Sequence, residues 1–178
     1  MGKPVLFLDR DGTINVDRGY INRLEDLEFI PGALDALVLA KKSGFLLAMI
    51  TNQAGVAKGL TPSHMPALIA KKIEDAAGIT FDDIRICPHH PDDACDCRKP
   101  APGNLLRSME RLSAAPEKSW FIGDTMRDVQ CAQSAGIRPI LLRTGHGEKT
   151  LSELKSDKQP LVCADLMAAV KFILSSVA

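Results

Sequence analysis

Five short apolar runs, each ending at polar residues, limit this chain to few folds. "PVLFL" (4–8) runs into Asp9-Arg10-Asp11, and "FLLAMIT" (45–51) runs into Asn52. "IRIC" (84–87), "SWFIG" (119–123) and "RPILLRT" (138–144) have the same form. A strand that is apolar at successive positions must be covered on both faces, as in a parallel sheet held between helices. The intervening segments supply the helices. Residues 31–44, 61–78, 103–112, 125–136 and 166–177 carry apolar side chains at helical spacing. Pro31 falls at an expected first turn, Thr61 and Asp165 are candidate N-caps, and Pro66 predicts that its helix starts near it. The pattern therefore predicts an α/β fold, a Rossmann-like parallel sheet with helices on both faces. Residues 1–178 form one domain on this reading, long enough to bury a real core. Residues 146–164 are polar and irregular and receive no element or role.

In such sheets the chemistry gathers at the carboxyl ends of the strands. Those ends carry Asp9-Arg10-Asp11, Thr51-Asn52, Cys87 and Gly123-Asp124. "DRDGT" alone is compatible with a solvated turn that caps a helix. Paired with "GDTMRD" after a matching strand, it predicts a shared carboxylate site. Asp9 can face a metal and attack as a nucleophile, and Asp11 can turn back as a general acid and base. Carboxyl oxygens without a dedicated cage suit Mg²⁺, which keeps waters and shares a substrate phosphate. Asp128, one helical turn after Asp124, is placed to hold Lys99 or a metal-bound water. Thr51 alone is a strand-end hydroxyl, and Lys99 alone a surface lysine.

"CPHHPDDACDCRKP" (87–100) holds three of the five cysteines. Cys87-x-His89 followed by Cys95-x-Cys97 offers four ligands for a tetrahedral Zn²⁺ with no open position, hence a structural one. Cys95 and Cys97 are too close for an easy mutual disulfide, and three cysteines leave one unpaired. His90 is a competing ligand. His64 and His146 belong to no motif, and Cys131 and Cys163 suit small core positions. The loop 87–99 leads directly into Arg98 and Lys99, so a bound zinc would aim them at the carboxylates.

The order Asp9-x-Asp11-Gly-Thr, Thr51, Lys99 and Gly123-Asp124-x-x-x-Asp128 resembles the four motifs of the haloacid dehalogenase-like phosphatases, over residues 4 to about 145. The resemblance implies a capless phosphatase fold and an aspartyl-phosphate mechanism. Asp9 would attack phosphorus, and Asp11 would protonate the leaving oxygen and then activate water. Thr51 and Lys99 would hold the phosphoryl oxygens. Mg²⁺ would be bound by Asp9, the backbone carbonyl of Asp11, and Asp124. "DRGY" (17–20), "TNQAGVAKG" (51–59) and the cysteine loop narrow the resemblance to the D-glycero-D-manno-heptose 1,7-bisphosphate phosphatases, which remove the 7-phosphate in nucleotide-activated heptose synthesis. This implies substrate contacts from Asp17, Arg18, Gly19, Tyr20, Asn52, Gln53, Ala54 and Arg98. Arg98 would recognise the second phosphate or the sugar, since its planar fork pairs bidentately with phosphate oxygens.

The five-residue spacer between His89 and Cys95 is closer to the histidinol-phosphate phosphatases, the alternative substrate class. Arg18, Lys58 and Arg98 favour a second anion instead. A non-catalytic, zinc-stabilised binding module is the alternative of another class. The formal net charge of zero gives no case for nucleic acid or a membrane surface, and no N-terminal apolar run suits a signal or a span. The expected protein is a cytoplasmic monomer acting on a small phosphorylated sugar.

Overall fold

The computed structural model describes residues 2–154 and 160–177. Strands β1 (Val5–Leu8), β2 (Leu46–Asn52), β3 (Asp83–Cys87), β4 (Trp120–Gly123), β5 (Arg138–Leu142) and β6 (Leu161–Cys163) form one sheet. Its order is β3-β2-β1-β4-β5-β6, and every neighbouring pair is parallel. The helices are α1 (Ala33–Lys42), α2 (Met65–Ala77), α3 (Gly103–Leu112), α4 (Met126–Ser134), α5 (Gly147–Glu153) and α6 (Leu166–Val177).

Strand side chains alternate between two cores, as a period of two requires. Leu6, Leu8, Leu47 and Met49 join α1, α2 and α6 on one face. Val5, Phe7, Ala48 and Ile50 join Leu105 of α3 and Cys131 and Ala132 of α4 on the other. The chain adds β2 and β3 on one side of β1, then crosses back and adds β4, β5 and β6 on the other. Parallel crossovers keep one hand, so reversing direction moves the connecting helices to the opposite face. The reversal also leaves a crevice at the carboxyl ends of β1 and β4, where side chains from distant segments meet.

The five expected strands and five expected helices are all present; α3 and α6 have the expected bounds, β2 and β3 are shifted or extended by one residue, and the others are shorter at one or both ends. Gly78 closes α2 at φ 65°, and Asp165 caps α6 by accepting from the Ala168 N–H at 2.8 Å. Three expectations differ. Pro31 lies outside α1, because Gly32 at φ 77° takes the N-cap position. Thr61 does not cap α2; its side chain is buried and faces Asn22, and His64 precedes the helix. Residues 146–164 are not irregular throughout: α5 and β6 fall within them, and residues 155–159 lie outside the described residues.

Candidate active site and metal centres

Asp9 follows β1 directly, and its backbone N–H donates to Ile122 O of β4 at 3.0 Å. That bond fixes the Asp9–Asp11 loop at the reversal of the sheet. The Asp9 carboxylate accepts from the Arg10 N–H at 2.7 Å and lies 2.8 Å from Lys99 Nζ. Lys99 Nζ is also 2.6 Å from Asp128 Oδ1. Asp128 Oδ2 accepts from the Thr125 N–H and hydroxyl at 3.0 and 2.6 Å, so one carboxylate both caps α4 and holds the lysine. Between the two anticipated roles of Asp128, the geometry gives the pairing with Lys99.

Burial decides the electrostatics. It pushes the Asp9 carboxyl up to about 8, against the pull of Lys99 and with help from Asp128 and Asp124. Burial likewise raises Asp124 to about 7, opposed by the hydrogen bond from the His146 N–H. Burial works to lower the Lys99 pKa, but the adjacent Asp128 and Asp9 carboxylates outweigh it and raise the value. One lysine thus faces three buried carboxylates whose oxygens lie within 4.8 Å of one another. Asp124 Oδ1 is buried with no hydrogen-bond partner among the described residues. Hard oxygen donors, excess negative charge and an orphaned carboxylate oxygen fit Mg²⁺.

Asp11 stands apart from that group. Arg10 grips it through Nε at 3.1 Å and Nη2 at 2.7 Å, Asn15 donates at 2.9 Å, and Gln53 Nε2 donates at 2.8 Å. The same Gln53 nitrogen donates to the Thr51 hydroxyl at 2.8 Å, so Thr51, itself buried, is joined to Asp11 through Gln53. Arg10 is only 1% exposed, an unusual burial for arginine. Sequence reasoning missed it as the spacer between two aspartates.

The carboxylates and Lys99 open into a cavity of about 450 Å³. Asp17, Gly19, Tyr20, Asn52, Gln53, Ala54 and Arg98 line it, as expected for substrate contacts. Tyr20 accepts from Lys58 Nζ at 3.0 Å, which ties the 17–20 loop to the 51–59 loop. Arg98 Nη1 is buried with no partner among the described residues. Two expected contacts take other work. Arg18 pairs with Glu28 and lines a neighbouring surface depression that it shares with Tyr20. Asn52 spends its amide on Lys99, donating to its carbonyl at 3.0 Å and accepting its N–H at 3.1 Å, so it holds the lysine from below β2's end. Arg127 and His146 also line the cavity and were not anticipated. His146 lay in a segment without periodicity, and Arg127 fell within the 125–136 helix without belonging to any motif.

Sγ of Cys87, Cys95 and Cys97 and Nδ1 of His89 lie within 4.8 Å of one another. The Cys87–Cys95 and Cys95–Cys97 sulfur separations are 3.6 and 3.4 Å, and His89 Nδ1 is 3.1 Å from Cys97 Sγ. These are far beyond a disulfide and close to the ~3.7 Å edge of a tetrahedron with Zn–S bonds of about 2.3 Å. His90 is outside the cluster, where it forms a capping box with Asp92 and Asp93. Backbone bonds from Gln53 N–H to Cys87 O (2.7 Å) and from Gly103 N–H to Asp96 O (2.9 Å) anchor the loop at both ends. A Cβ at Gly103 would lie 2.5 Å from Asp96 O, so only glycine fits there.

Residues 96–169 match a family model described as HAD-hydrolase-like. The D-glycero-β-D-manno-heptose-1,7-bisphosphate 7-phosphatase of Photorhabdus laumondii is 39% identical, over 97% of each chain. That of Escherichia coli K12 is 39% identical over 94% of each chain. Among solved structures, the D,D-heptose 1,7-bisphosphate phosphatase of B. bronchiseptica, complexed with magnesium and phosphate, aligns with a TM-score of 0.91 at 34% identity, over 97% of this chain and 99% of that one. The same enzyme from Burkholderia thailandensis aligns with a TM-score of 0.74 at 28% identity, over 97% and 99%. With identity of this level along nearly the whole length and with the site geometry of an aspartate-based phosphatase, the chain belongs to the heptose-1,7-bisphosphate 7-phosphatase family of the haloacid dehalogenase-like hydrolases.

Proposed function

We propose that this protein is a Mg²⁺-dependent phosphatase that removes the 7-phosphate of D-glycero-β-D-manno-heptose 1,7-bisphosphate, in nucleotide-activated heptose synthesis. The observation that carries the reading is the pairing of Asp9 with Lys99 at the floor of a cavity, in a chain whose full-length relatives bear that name. Asp9, Asp124 and the Asp11 carbonyl hold Mg²⁺, which when bound supplies positive charge to offset repulsion between carboxylate and phosphate. Asp9 attacks phosphorus and the bond to the sugar oxygen breaks. Asp11 gives that oxygen its proton, then takes one from water as the water attacks the aspartyl phosphate. The products are the 1-phosphate, inorganic phosphate and regenerated Asp9. Lys99 holds Asp9 before attack and phosphoryl oxygens during it, with Thr51 as the second phosphoryl contact. Arg98, with a buried unpartnered nitrogen, receives the phosphate that does not react. Zn²⁺ at Cys87, His89, Cys95 and Cys97 stiffens the loop that carries Arg98 and Lys99.

Phosphate release from both anomers of the bisphosphate and from histidinol phosphate tests this reading. A kcat/KM at least a hundredfold higher for the β-bisphosphate, with one phosphate released, is the expected result. Preference for histidinol phosphate would reject the substrate, and no turnover of any ester by the Mg²⁺- and Zn²⁺-loaded protein would reject the enzyme.

A further inference from the structure

The segment after β5 makes contacts that the mechanism above does not use. Its sequence is "TGHGEKT" (144–150). Thr144 Oγ1 donates to Gly12 O at 2.6 Å, which grips the turn of the nucleophile loop. The His146 backbone N–H donates to Asp124 Oδ2 at 2.7 Å. Thr150, buried, donates its hydroxyl to the Asp124 carbonyl at 3.1 Å. Three residues of one short segment therefore reach loops that follow two other strands.

The packing is as tight as the hydrogen bonding. A Cβ at Gly145 would lie 2.2 Å from Asp124 Oδ2 and 2.5 Å from Gly12 Cα. A Cβ at Gly12 would lie 2.1 Å from the same Asp124 oxygen. Both glycines also have positive φ, 55° and 79°. Asp124 Oδ2 is thus enclosed by two glycines and one N–H, and its rotamer is fixed. The other oxygen, Oδ1, is left buried and without a hydrogen-bond partner among the described residues. Asp124 is one of three carboxylates, with Asp9 and Asp128, grouped closely enough to share a cation.

His146 extends the arrangement to the cavity mouth. Its Nε2 lies 2.9 Å from Asp17 Oδ2, and Asp17 Oδ1 accepts from the Gly19 N–H at 2.8 Å. The backbone of His146 therefore touches the cation carboxylate, and its ring touches the loop that carries Asp17, Gly19 and Tyr20.

We propose that Thr144–Gly147, with Thr150, is a positioning element: its backbone presents Asp124 Oδ1 to the divalent cation, and the His146 ring ties that cation site to the substrate-contacting 17–20 loop. The element splits by atom type. Substitution at Gly145 disturbs the Asp124 oxygen, whereas His146→Ala leaves the backbone N–H in place and removes only the tie to Asp17. This rests on the reading of Asp124 as a Mg²⁺ ligand, so the test measures cation binding directly.

Calorimetric titration of the zinc-loaded protein with MgCl₂, without substrate, gives the Kd. Gly145→Ala is expected to weaken Mg²⁺ binding at least tenfold with zinc content unchanged. His146→Ala is expected to keep the Kd within twofold and to raise KM for the bisphosphate several-fold more than it lowers kcat. Thr144→Val, which keeps shape and removes one hydroxyl, is the second variant should Gly145→Ala not fold, and is expected to weaken Mg²⁺ binding at least threefold. Wild-type Mg²⁺ affinity in the folded glycine or threonine variant overturns the proposal. So does an equal loss of Mg²⁺ affinity in His146→Ala. Absence of Mg²⁺ binding by the wild-type protein overturns it together with the assignment of Asp124.

Discussion

At the scale of single residues, the site is a problem in charge. Asp9→Asn removes the nucleophile and also one of three crowded carboxylates. It is expected to lower kcat by at least ~10³-fold while leaving the urea midpoint unchanged or higher. Lys99→Met does the opposite to stability: it leaves Asp9 and Asp128 buried with no cation, at a cost of about 3 kcal/mol or more. A lowered urea midpoint and loss of turnover check it together. The pH dependence follows from Asp9 and Asp124, raised from an ordinary 3.8 to about 8 and about 7. Between these limits the folded, metal-free protein keeps protons that the unfolded chain has lost. The contribution of these two groups to stability is therefore greatest below about pH 4, falls as pH rises through about 7 and 8, and levels above that. A divalent cation favours ionised carboxylates, so on the proposed assignment the gain in Tm on adding MgCl₂ is expected to be larger at pH 8 than at pH 6. A gain independent of pH would count against these groups as ligands. Which residues the sequence disclosed is itself physical. Asp9, Asp11 and Asp124 stand beside strand ends, where pattern and chemistry coincide, whereas Lys99 was reached only through the family motifs. Arg10 was hidden because the burial of an arginine is set by tertiary packing that no local spacing encodes. Arg18 was expected at the cavity with its neighbours but pairs with Glu28, a contact ten residues on that the motif does not show.

At the scale of elements, the cysteine loop carries two functions that a chemist would separate, since Lys99 lies two residues beyond Cys97. Cys95→Ser is expected to lose zinc, measured by elemental analysis, and to reduce kcat/KM by at least tenfold. Mg²⁺ affinity is expected to stay near the wild-type value, because none of the loop's sulfurs touches Asp124. If zinc is lost and kcat/KM is unchanged, the loop does not position Lys99. The strands β1 to β5 were legible because fully apolar runs have few other uses. β6 was not: its three residues are exposed or half-buried and occupy a sheet edge, so they carry no continuous apolar signal. The short α5 was hidden for a similar reason. Of its residues only Gly147 and Thr150 are buried, and both were selected by contacts with other segments.

At the scale of the whole molecule, a formal charge of zero conceals an uneven distribution. Lys58, Arg98 and Arg127 gather around one cavity, placed to meet the second phosphate of the proposed substrate. Raising ionic strength from about 0.02 to 0.3 M is expected to raise KM for the bisphosphate several-fold more than for a small monophosphate ester, with kcat nearly constant. Equal sensitivity would mean that the cations do not read the second phosphate. The order of the chain has a further consequence. The nucleophile lies near the start of β1's loop, yet Thr144 bonds to Gly12 across 132 positions. A chain that ends at Asp128 already carries every carboxylate of the site and the whole metal loop, but lacks the His146 N–H and the Thr150 hydroxyl that hold Asp124. On the positioning role proposed above, a nascent chain is expected to gain catalytic competence only once the segment after β5 has been made and has closed onto the first residues.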